Sequence, residues 1–274
     1  MTRQIPGRDG SRLTISIAAA LTWICALGAV PLDAQSLPSI DTAPTPVAVA
    51  LEDPSPGGNG ASRLIRDVAG DYKNFFSVET ALWLGGGGGL ALAVHPADQD
   101  IANAAQRAGN TLPGGSVYGS QYFQLPVAIA WWTIGNMAGS DRHAQTGRDL
   151  LRAQISVASW TYAIKLATDR TRPNGQSQSF PSGHASASFA TAMVLEDHYG
   201  WKAGLPAFII ASYTAASRVV ENWHWTSDVV FGAALGVASA RTVTIKFRES
   251  RVSIAPVAVP KGGAVMVSVV RPAD

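Results

Sequence analysis

The sequence contains a single cysteine among 274 residues, and this residue, Cys25, lies in an apolar stretch near the N-terminus. Thiol catalysis, a disulfide framework and cysteine-ligated metals are therefore excluded for the rest of the chain. Charged residues make up only 15% of the chain, where about 25% is usual for soluble domains. With 47% hydrophobic residues, the helices are expected to be buried in a bundle or to lie partly in a membrane. The net charge of +2 and the lack of a basic stripe interleaved with aromatics argue against nucleic-acid binding.

The N-terminal 34 residues have the pattern of a secretory signal. Arg3, Arg8 and Arg12 precede an apolar run over residues 13–30, and small residues follow as far as Ala34. We predict cleavage after Ala34, with an uncleaved anchor helix as the alternative. Residues 35–62 are rich in Pro, Ala, Ser and Gly, which predicts a flexible linker.

The remainder predicts an all-α fold with a small β-tail. Residues 63–76 form an amphipathic pattern, typical of a helix on the outside of a bundle. Six apolar segments follow, each long enough for a helix of several turns: 78–94, 122–138, 149–168, 185–199, 203–220 and 227–240. We therefore predict a six-helix core bundle in a helical domain over 63–241. Residues 242–274 alternate with period two, which predicts a small antiparallel β-meander or hairpin that packs on the bundle.

Two other stretches invite a ligand and are better explained by structure. Five glycines, 85–89, lack the Lys-Ser/Thr pair of a phosphate loop and have apolar flanks, so they predict a close helix approach or a break in the first helix. His95 with Asp98 and Asp100 suggests a metal, but the HPADQD sequence is more typical of a loop followed by a helix start. We predict no metal site.

Three short stretches hold the groups that suit an oxyanion. Lys165, Arg172 and Arg218 are cations at the ends of predicted helices, and arginine pairs bidentately with phosphate oxygens. Ser182 and Gly183 open the fourth predicted helix, where backbone N–H groups and the helix dipole favour an anion. We expect the Ser182 hydroxyl to add a hydrogen bond and Gly183 to let the backbone approach closely.

The histidines add reactive groups to this cradle. Asp228 follows His224 by four residues, so its carboxylate can hold one ring nitrogen and leave the other free as a nucleophile. His184 is then the candidate proton donor to a leaving group. Each residue taken singly has a plain structural role, but the set together predicts a phosphate site.

The stretches K-x6-RP (165–173), PSGH (181–184) and SR-x5-H-x3-D (217–228) resemble the three signature motifs of the type 2 phosphatidic acid phosphatase and vanadium haloperoxidase superfamily. The resemblance covers about residues 78–240 and matches every defined position. It implies a helical bundle with the site at one end, and no metal or cofactor in the phosphatase reaction. It also implies that His224 attacks phosphorus to form a phosphohistidine, that His184 protonates the leaving alcohol and that Asp228 orients His224. The five residues implied to hold the phosphoryl oxygens are Lys165, Arg172, Ser182, Gly183 and Arg218.

The motifs leave several functions open. We favour a metal-independent phosphatase that hydrolyses phosphate monoesters, either soluble molecules or lipid phosphates. The alternatives are an integral-membrane lipid phosphate or isoprenyl pyrophosphate phosphatase, a haloperoxidase that holds vanadate in the same cradle, and an inactive phosphate-binding relative. The leaving group would be selected by Trp223, Trp225 and a loop over 96–121 that acts as a lid. The oligomeric state is not predictable from the sequence.

Location also has two readings. Six membrane spans after a signal would place the arginines of residues 142–152 and the tail outside, against the positive-inside rule. Several segments fall short of the ~20 apolar residues of a span, and the third carries Asp149, Arg152, Gln154 and Lys165. We therefore expect an exported periplasmic or secreted protein that is water-soluble, with an integral or peripheral membrane protein as the alternative.

Overall fold

The computed structural model describes residues 60–109, 112–244, 251–259 and 262–270. The helices are α1 (Gly60–Asn74), α2 (Val78–Val94), α3 (Asp98–Ala108), α4 (Gly115–Tyr118), α5 (Gln121–Met137), α6 (Asp141–Thr168), α7 (Gly183–Tyr199), α8 (Trp201–Val220) and α9 (Thr226–Thr244), with a 3-10 turn at His95–Ala97. The six predicted core segments are α2 and α5 to α9. The predicted signal at 1–34 and nearly all of the linker lie outside the described residues.

The helix boundaries differ from the predicted ones in two places. Helix α6 begins at Asp141, eight residues before the predicted start at 149, because its first turns are polar and carry no apolar pattern. The predicted lid loop over 96–121 is wrong as a loop, since it contains helices α3 and α4. Asp98 begins α3, as expected of a helix start.

Helices α7 and α9 form the centre of the bundle. Residues 185–194 of α7 are all buried, and so is every residue of α9 except Phe231 and Arg241. Small side chains let the two backbones approach: a methyl group added at Gly236 would lie 2.3 Å from the Ser186 carbonyl oxygen. Helix α9 also packs on α2 and α6, and α8 packs on α7.

The five-glycine run lies within a continuous helix, α2, so the predicted break does not occur. Close approach occurs at one position, Gly87, where an added Cβ would lie 2.2 Å from the Cβ of Ala234 in α9. At Gly85, Gly86 and Gly89 an added Cβ would meet nothing within 4 Å. One glycine of the run is thus required by packing between α2 and α9.

Helix α6 carries its polar side chains inside the bundle. The Arg152 guanidinium donates to both Asp71 oxygens, at 2.9 and 2.5 Å, and to Asp149 at 2.8 Å. His198 lies 3.1 Å from the other Asp149 oxygen. This buried network ties α1 to α6 and α6 to the end of α7, and it explains how α6 tolerates charged residues in its middle.

Two further segments, Arg251–Val259 (β1) and Gly262–Val270 (β2), form an antiparallel pair in which Arg251 faces Val270 and Val259 faces Gly262. Helix α9 runs to Thr244, beyond the predicted boundary at 241. A β-meander that packs on the bundle stays a prediction.

Candidate active site

All eight predicted site residues lie at one end of the bundle. Helices α6 and α8 end there, with Lys165 and Arg218 in their last turns, and α7 and α9 begin there. A cavity of about 590 Å³ is lined by six of the eight residues: Lys165, Arg172, Gly183, His184, Arg218 and His224. Ser182 and Asp228 lie directly behind this lining and are fully buried.

Three cationic side chains, Lys165, Arg172 and Arg218, line the cavity. The guanidinium groups of Arg172 and Arg218 both stack on the Trp223 ring, with centroid distances of 5.1 and 5.6 Å. Lys165 donates to the Gln178 carbonyl at 2.5 Å. Burial lowers the pKa of the Arg172 guanidinium. The Nε atoms of Arg172 and Arg218 are buried with no hydrogen-bond partner among the described residues, so an anion with several acceptor oxygens fits between them.

The Ser182-Gly183 corner is held from behind by α9. The Ser182 N–H donates to the Asp228 carbonyl at 3.0 Å, and the Ser182 hydroxyl accepts from the Ala185 N–H at 3.4 Å as the N-cap of α7. The serine hydroxyl therefore caps the helix, a role that the sequence analysis did not assign to it. An added Cβ at Gly183 would make only an ordinary 3.5 Å contact with Thr161, so the described side chains do not themselves require glycine there.

His224 and Asp228 lie side by side, although His224 Nδ1 makes no hydrogen bond among the described residues. His224 Nδ1 lies 3.6 Å from Asp228 Oδ2, so the second ring nitrogen is free of this carboxylate. The pKa of His224 is lowered to about 4, chiefly by burial and also by the positive charges of Lys165 and Arg172, against the opposing effect of Asp228. The ring is therefore neutral at pH 7, which a nucleophile requires.

His184 lies at the mouth of the cavity in the first turn of α7. Burial lowers its pKa to about 4, and the charges of Arg218, His224, Lys165 and Arg172 act in the same direction. A bound phosphoryl group would oppose those cations and favour the protonated ring.

Several neighbours of the site were not predicted from the sequence. Arg170 and Ser179 donate hydrogen bonds to the Asp228 carboxylate, and Asp98 pairs with Arg170 at 2.8 Å. Glu221 lines the cavity and pairs with Arg218 at 2.8 Å. The position of Arg170, two residues before Arg172, indicates that it lies near the site. Nothing in the sequence links residue 98 to residue 228.

Three comparisons place the chain among known proteins. The model of the PAP2 superfamily matches residues 149–251. Lipid A 1-phosphatase of Porphyromonas gingivalis is 40% identical over 121 residues, which are 42% of this chain and 27% of that protein. The match thus spans about a quarter of the relative's length. A transmembrane PAP2-type phosphatidylglycerolphosphate phosphatase from Bacillus subtilis shares the fold, with a TM-score of 0.50 and 22% identity over 59% of this chain and 92% of that one.

Proposed function

We propose that the helical domain is a phosphoric ester hydrolase of the type 2 phosphatidic acid phosphatase superfamily, whose substrate is a membrane lipid phosphate; the family match over residues 149–251 and the similarity to a lipid A phosphatase support this proposal. Among the predicted functions, the lipid phosphatase alternative is better supported than the soluble monoester phosphatase. The observation that carries the proposal is the cavity itself, where two histidines and three cations surround space for a phosphoryl group and two arginine Nε atoms lack acceptors.

The chemistry proceeds in two displacements. The free ring nitrogen of His224 attacks phosphorus, the bond from phosphorus to the ester oxygen breaks, and His184 gives its proton to the departing alcohol. His184 then takes a proton from a water molecule, which attacks the phosphohistidine and releases phosphate and a neutral His224. Lys165, Arg172, Arg218 and the N–H groups at the start of α7 bind the phosphoryl oxygens and stabilise the negative charge of the transition state.

A lipid leaving group is supported by the side chains that line the cavity. Ala158, Thr161, Tyr162 and Lys165 follow one another on a single face of α6 and line the cavity. Tyr122 at the start of α5 also lines the cavity and is 95% exposed, and Tyr162 is 61% exposed. Exposed aromatic side chains beside the cations suit a substrate whose apolar chain stays in the bilayer while its phosphate enters the cavity.

The bundle surface supports a membrane location. Helices α2, α5 and α8 expose large apolar side chains along their length: Leu82, Leu92, Ile129, Ile134, Met137, Trp201, Leu205 and Ile209. Large contiguous apolar surfaces of this kind are rare on soluble monomers. The polar residues of α6 that argued for a soluble protein are buried inside the bundle, where charged residues of membrane helices also lie. Within the described part, Trp201–Val220 alone passes a test of length and apolarity for a span, and 56% of its window is buried.

A second group of arginines lies at the end of the bundle opposite the site and its own cations. Arg142 donates to the His198 carbonyl at the end of α7, and Arg241 lies 3.5 Å from Glu79 at the start of α2. In a membrane, the positive-inside rule would place this end in the cytoplasm and the site on the outer face. A signal segment at residues 1–34, whether cleaved or retained as an anchor, would give the reverse orientation. Labelling of the two ends of the bundle in intact cells with a membrane-impermeant reagent decides between the two orientations.

The test uses the full chain extracted with detergent, and compares hydrolysis of phosphatidic acid, phosphatidylglycerophosphate and lipid A in mixed micelles with that of a soluble chromogenic phosphomonoester. We expect turnover of a lipid phosphate without added metal, and none in His224→Ala. His95→Ala is the matched control, since His95 is exposed and outside the cavity. Turnover in His224→Ala would refute the assignment of the nucleophile. Folded protein that oxidises halide with vanadate and peroxide, but hydrolyses no ester, would favour the haloperoxidase alternative.

The histidine environments predict an unusual pH profile. We expect the acid limb of the pH–rate profile to lie well below pH 6.5, because the pKa of His224 is lowered to about 4 and the ring stays neutral below its ordinary range. The basic limb reports His184, which depends on the bound phosphoryl group to keep its proton. A pH–rate series from 4 to 9, on enzyme shown by circular dichroism to stay folded, measures the acid limb. An acid limb near 6.5 would contradict the buried position of His224.

A further inference from the structure

The carboxylate of Asp228 is held by residues that occupy no defined position of the three signature motifs. Its Oδ1 accepts a hydrogen bond from Arg170 Nη1 at 2.6 Å. Its Oδ2 accepts from the Trp225 N–H at 2.9 Å and from the Ser179 hydroxyl, and faces His224 Nδ1. Arginine and histidine thus occupy different oxygens of one fully buried carboxylate, so the orientation of the carboxylate toward His224 depends on Arg170.

The other arm of Arg170 reaches a second buried carboxylate. Arg170 Nη2 donates to Asp98 Oδ2 at 2.8 Å, and Asp98 also accepts from the backbone N–H of Ser227 at 2.9 Å and from the Ser227 hydroxyl at 2.5 Å. Ser227 itself accepts from Arg170 Nη1 at 2.7 Å. Asp98 begins α3 and Ser227 lies in the first turn of α9, so this cluster fixes α9 at the turn that carries Asp228.

The guanidinium of Arg170 is directed away from the phosphate cradle. Arg170 does not line the cavity, although Arg172, two residues later, does. Its plane lies 5.6 Å from the Trp225 ring, and Trp225 Nε1 donates to the Thr171 carbonyl at 2.7 Å. Asp98 supplies the negative charge that keeps Arg170 on this side of the loop. Arg170 therefore acts on the site through Asp228, and not by contact with the substrate.

We propose that Arg170 and Asp98 are positioning residues for the His224–Asp228 pair, a role that rests on the proposed phosphatase function. Arg170 holds the carboxylate in the orientation that binds His224 Nδ1 and shares its negative charge. Asp98 determines how much of the Arg170 charge acts on Asp228. Successive contacts link Asp98 to Arg170, Arg170 to Asp228, and Asp228 to His224, and they join three separate parts of the chain.

The two residues are expected to shift the proton affinity of His224 in opposite directions. Removal of the Arg170 charge leaves Asp228 uncompensated, which favours a protonated His224. Removal of the Asp98 charge strengthens the effect of Arg170 on Asp228, and this disfavours protonation of His224. The other charged and titratable groups that act on His224 are unchanged in both variants: Lys165, Arg172, His184 and Arg218.

The experiment compares Arg170→Gln, Arg170→Lys and Asp98→Asn in the full chain, with Arg107→Gln and Asp100→Asn as exposed controls on α3. Two readouts are measured: the acid limb of the pH–rate profile, and the titration of the His224 ring by NMR, assigned against His224→Ala. We expect kcat to fall on the order of tenfold to a hundredfold in Arg170→Gln, with a much smaller change in KM, as for other groups that orient a reactive histidine.

The sign of the shift is decisive. We expect the His224 titration to move to higher pH in Arg170→Gln, to lower pH in Asp98→Asn, and to return toward the wild-type position in Arg170→Lys. Shifts of the same sign in both neutral variants, or no shift in either, would overturn the proposal. The NMR readout does not depend on turnover, so an enzyme without phosphatase activity would refute the proposed function and still test this coupling. If Arg170→Gln fails to fold, Arg170→Lys and Asp98→Asn carry the test, since a merely structural role predicts no movement of the titration in folded protein.

Discussion

Substitution of Gly232 by alanine should weaken catalysis without touching any reactive group. Gly232 lies in the second turn of α9, one turn beyond Asp228, and faces the corner that opens α7. An added Cβ would lie 2.7 Å from the Ser182 carbonyl oxygen and 3.4 Å from both the Ser182 nitrogen and the Ala185 Cβ. The closest of these atoms belongs to the backbone of the predicted phosphate cradle and has no flexible side chain that can turn away.

The size of the effect follows from this distance. An ordinary van der Waals contact begins at 3.4 Å, so the corner and α9 must separate by about 0.7 Å. A displacement of about 1 Å in a catalytic group costs roughly a hundredfold in rate, so we expect kcat/KM to fall about tenfold to a hundredfold. Crowding in a packed core costs about 1–3 kcal/mol, partly offset by the helix preference of alanine over glycine.

The assay measures kcat/KM on a lipid phosphate in mixed micelles, together with the unfolding midpoint in the same detergent. Gly86→Ala is the matched control, because an added Cβ there meets nothing within 4 Å; we expect unchanged activity and slightly higher stability. Gly87→Ala places a Cβ 2.2 Å from Ala234, away from the cradle, and should lower stability with a smaller loss of activity. Wild-type kcat/KM in Gly232→Ala would refute the reasoning that this corner binds the phosphoryl group.

Two further predictions concern groups around and behind the site. Trp223→Leu removes the ring on which the two cavity-lining arginines stack, and should weaken inhibition by inorganic phosphate roughly fivefold to tenfold. Trp201→Leu is the control, since Trp201 is exposed at the other end of the bundle. An unchanged inhibition constant for Trp223→Leu would argue against the stacking role. Asp71→Asn removes one of the two carboxylates that pair with the buried Arg152, and should lower the free energy of unfolding by about 3 kcal/mol. Asp67→Asn, on the same helix, should change the free energy of unfolding little. Equal unfolding midpoints for the two variants would contradict the importance of the buried pair.

The sequence predicted the candidate site closely because its residues stand at helix ends. Lys165 and Arg218 fall in the last turns of α6 and α8, and Ser182 and Asp228 at the starts of α7 and α9. Helix ends are recognisable from local chain chemistry, and the three motifs have fixed internal spacing. The roles assigned to these residues remain predictions for the experiments above.

The prediction of a water-soluble protein rested on the hydropathy of each segment, which is a weak guide here for a physical reason. Charged residues in a segment lower its mean hydropathy whether they face lipid or the interior, so Asp149 and Arg152 counted against a span. The structure pairs them with each other, with Asp71 and with His198 inside the bundle. Burial of this kind depends on which side of α6 its neighbours cover, and a hydropathy average carries no such information.

The sequence by itself determined what depends on neighbours along the chain: the order of the six core helices, the helix ends that carry the motif residues, and the spacing of the residues predicted to face a phosphoryl group. The tertiary structure alone decided what depends on distance through space. It brought Asp98 to Arg170, 72 positions away, and Gly232 to Ser182, which lies 50 positions earlier. These contacts arise because α7 and α9 pack closely and α3 packs against α8 and α9, and no local pattern in the chain encodes which residues then meet.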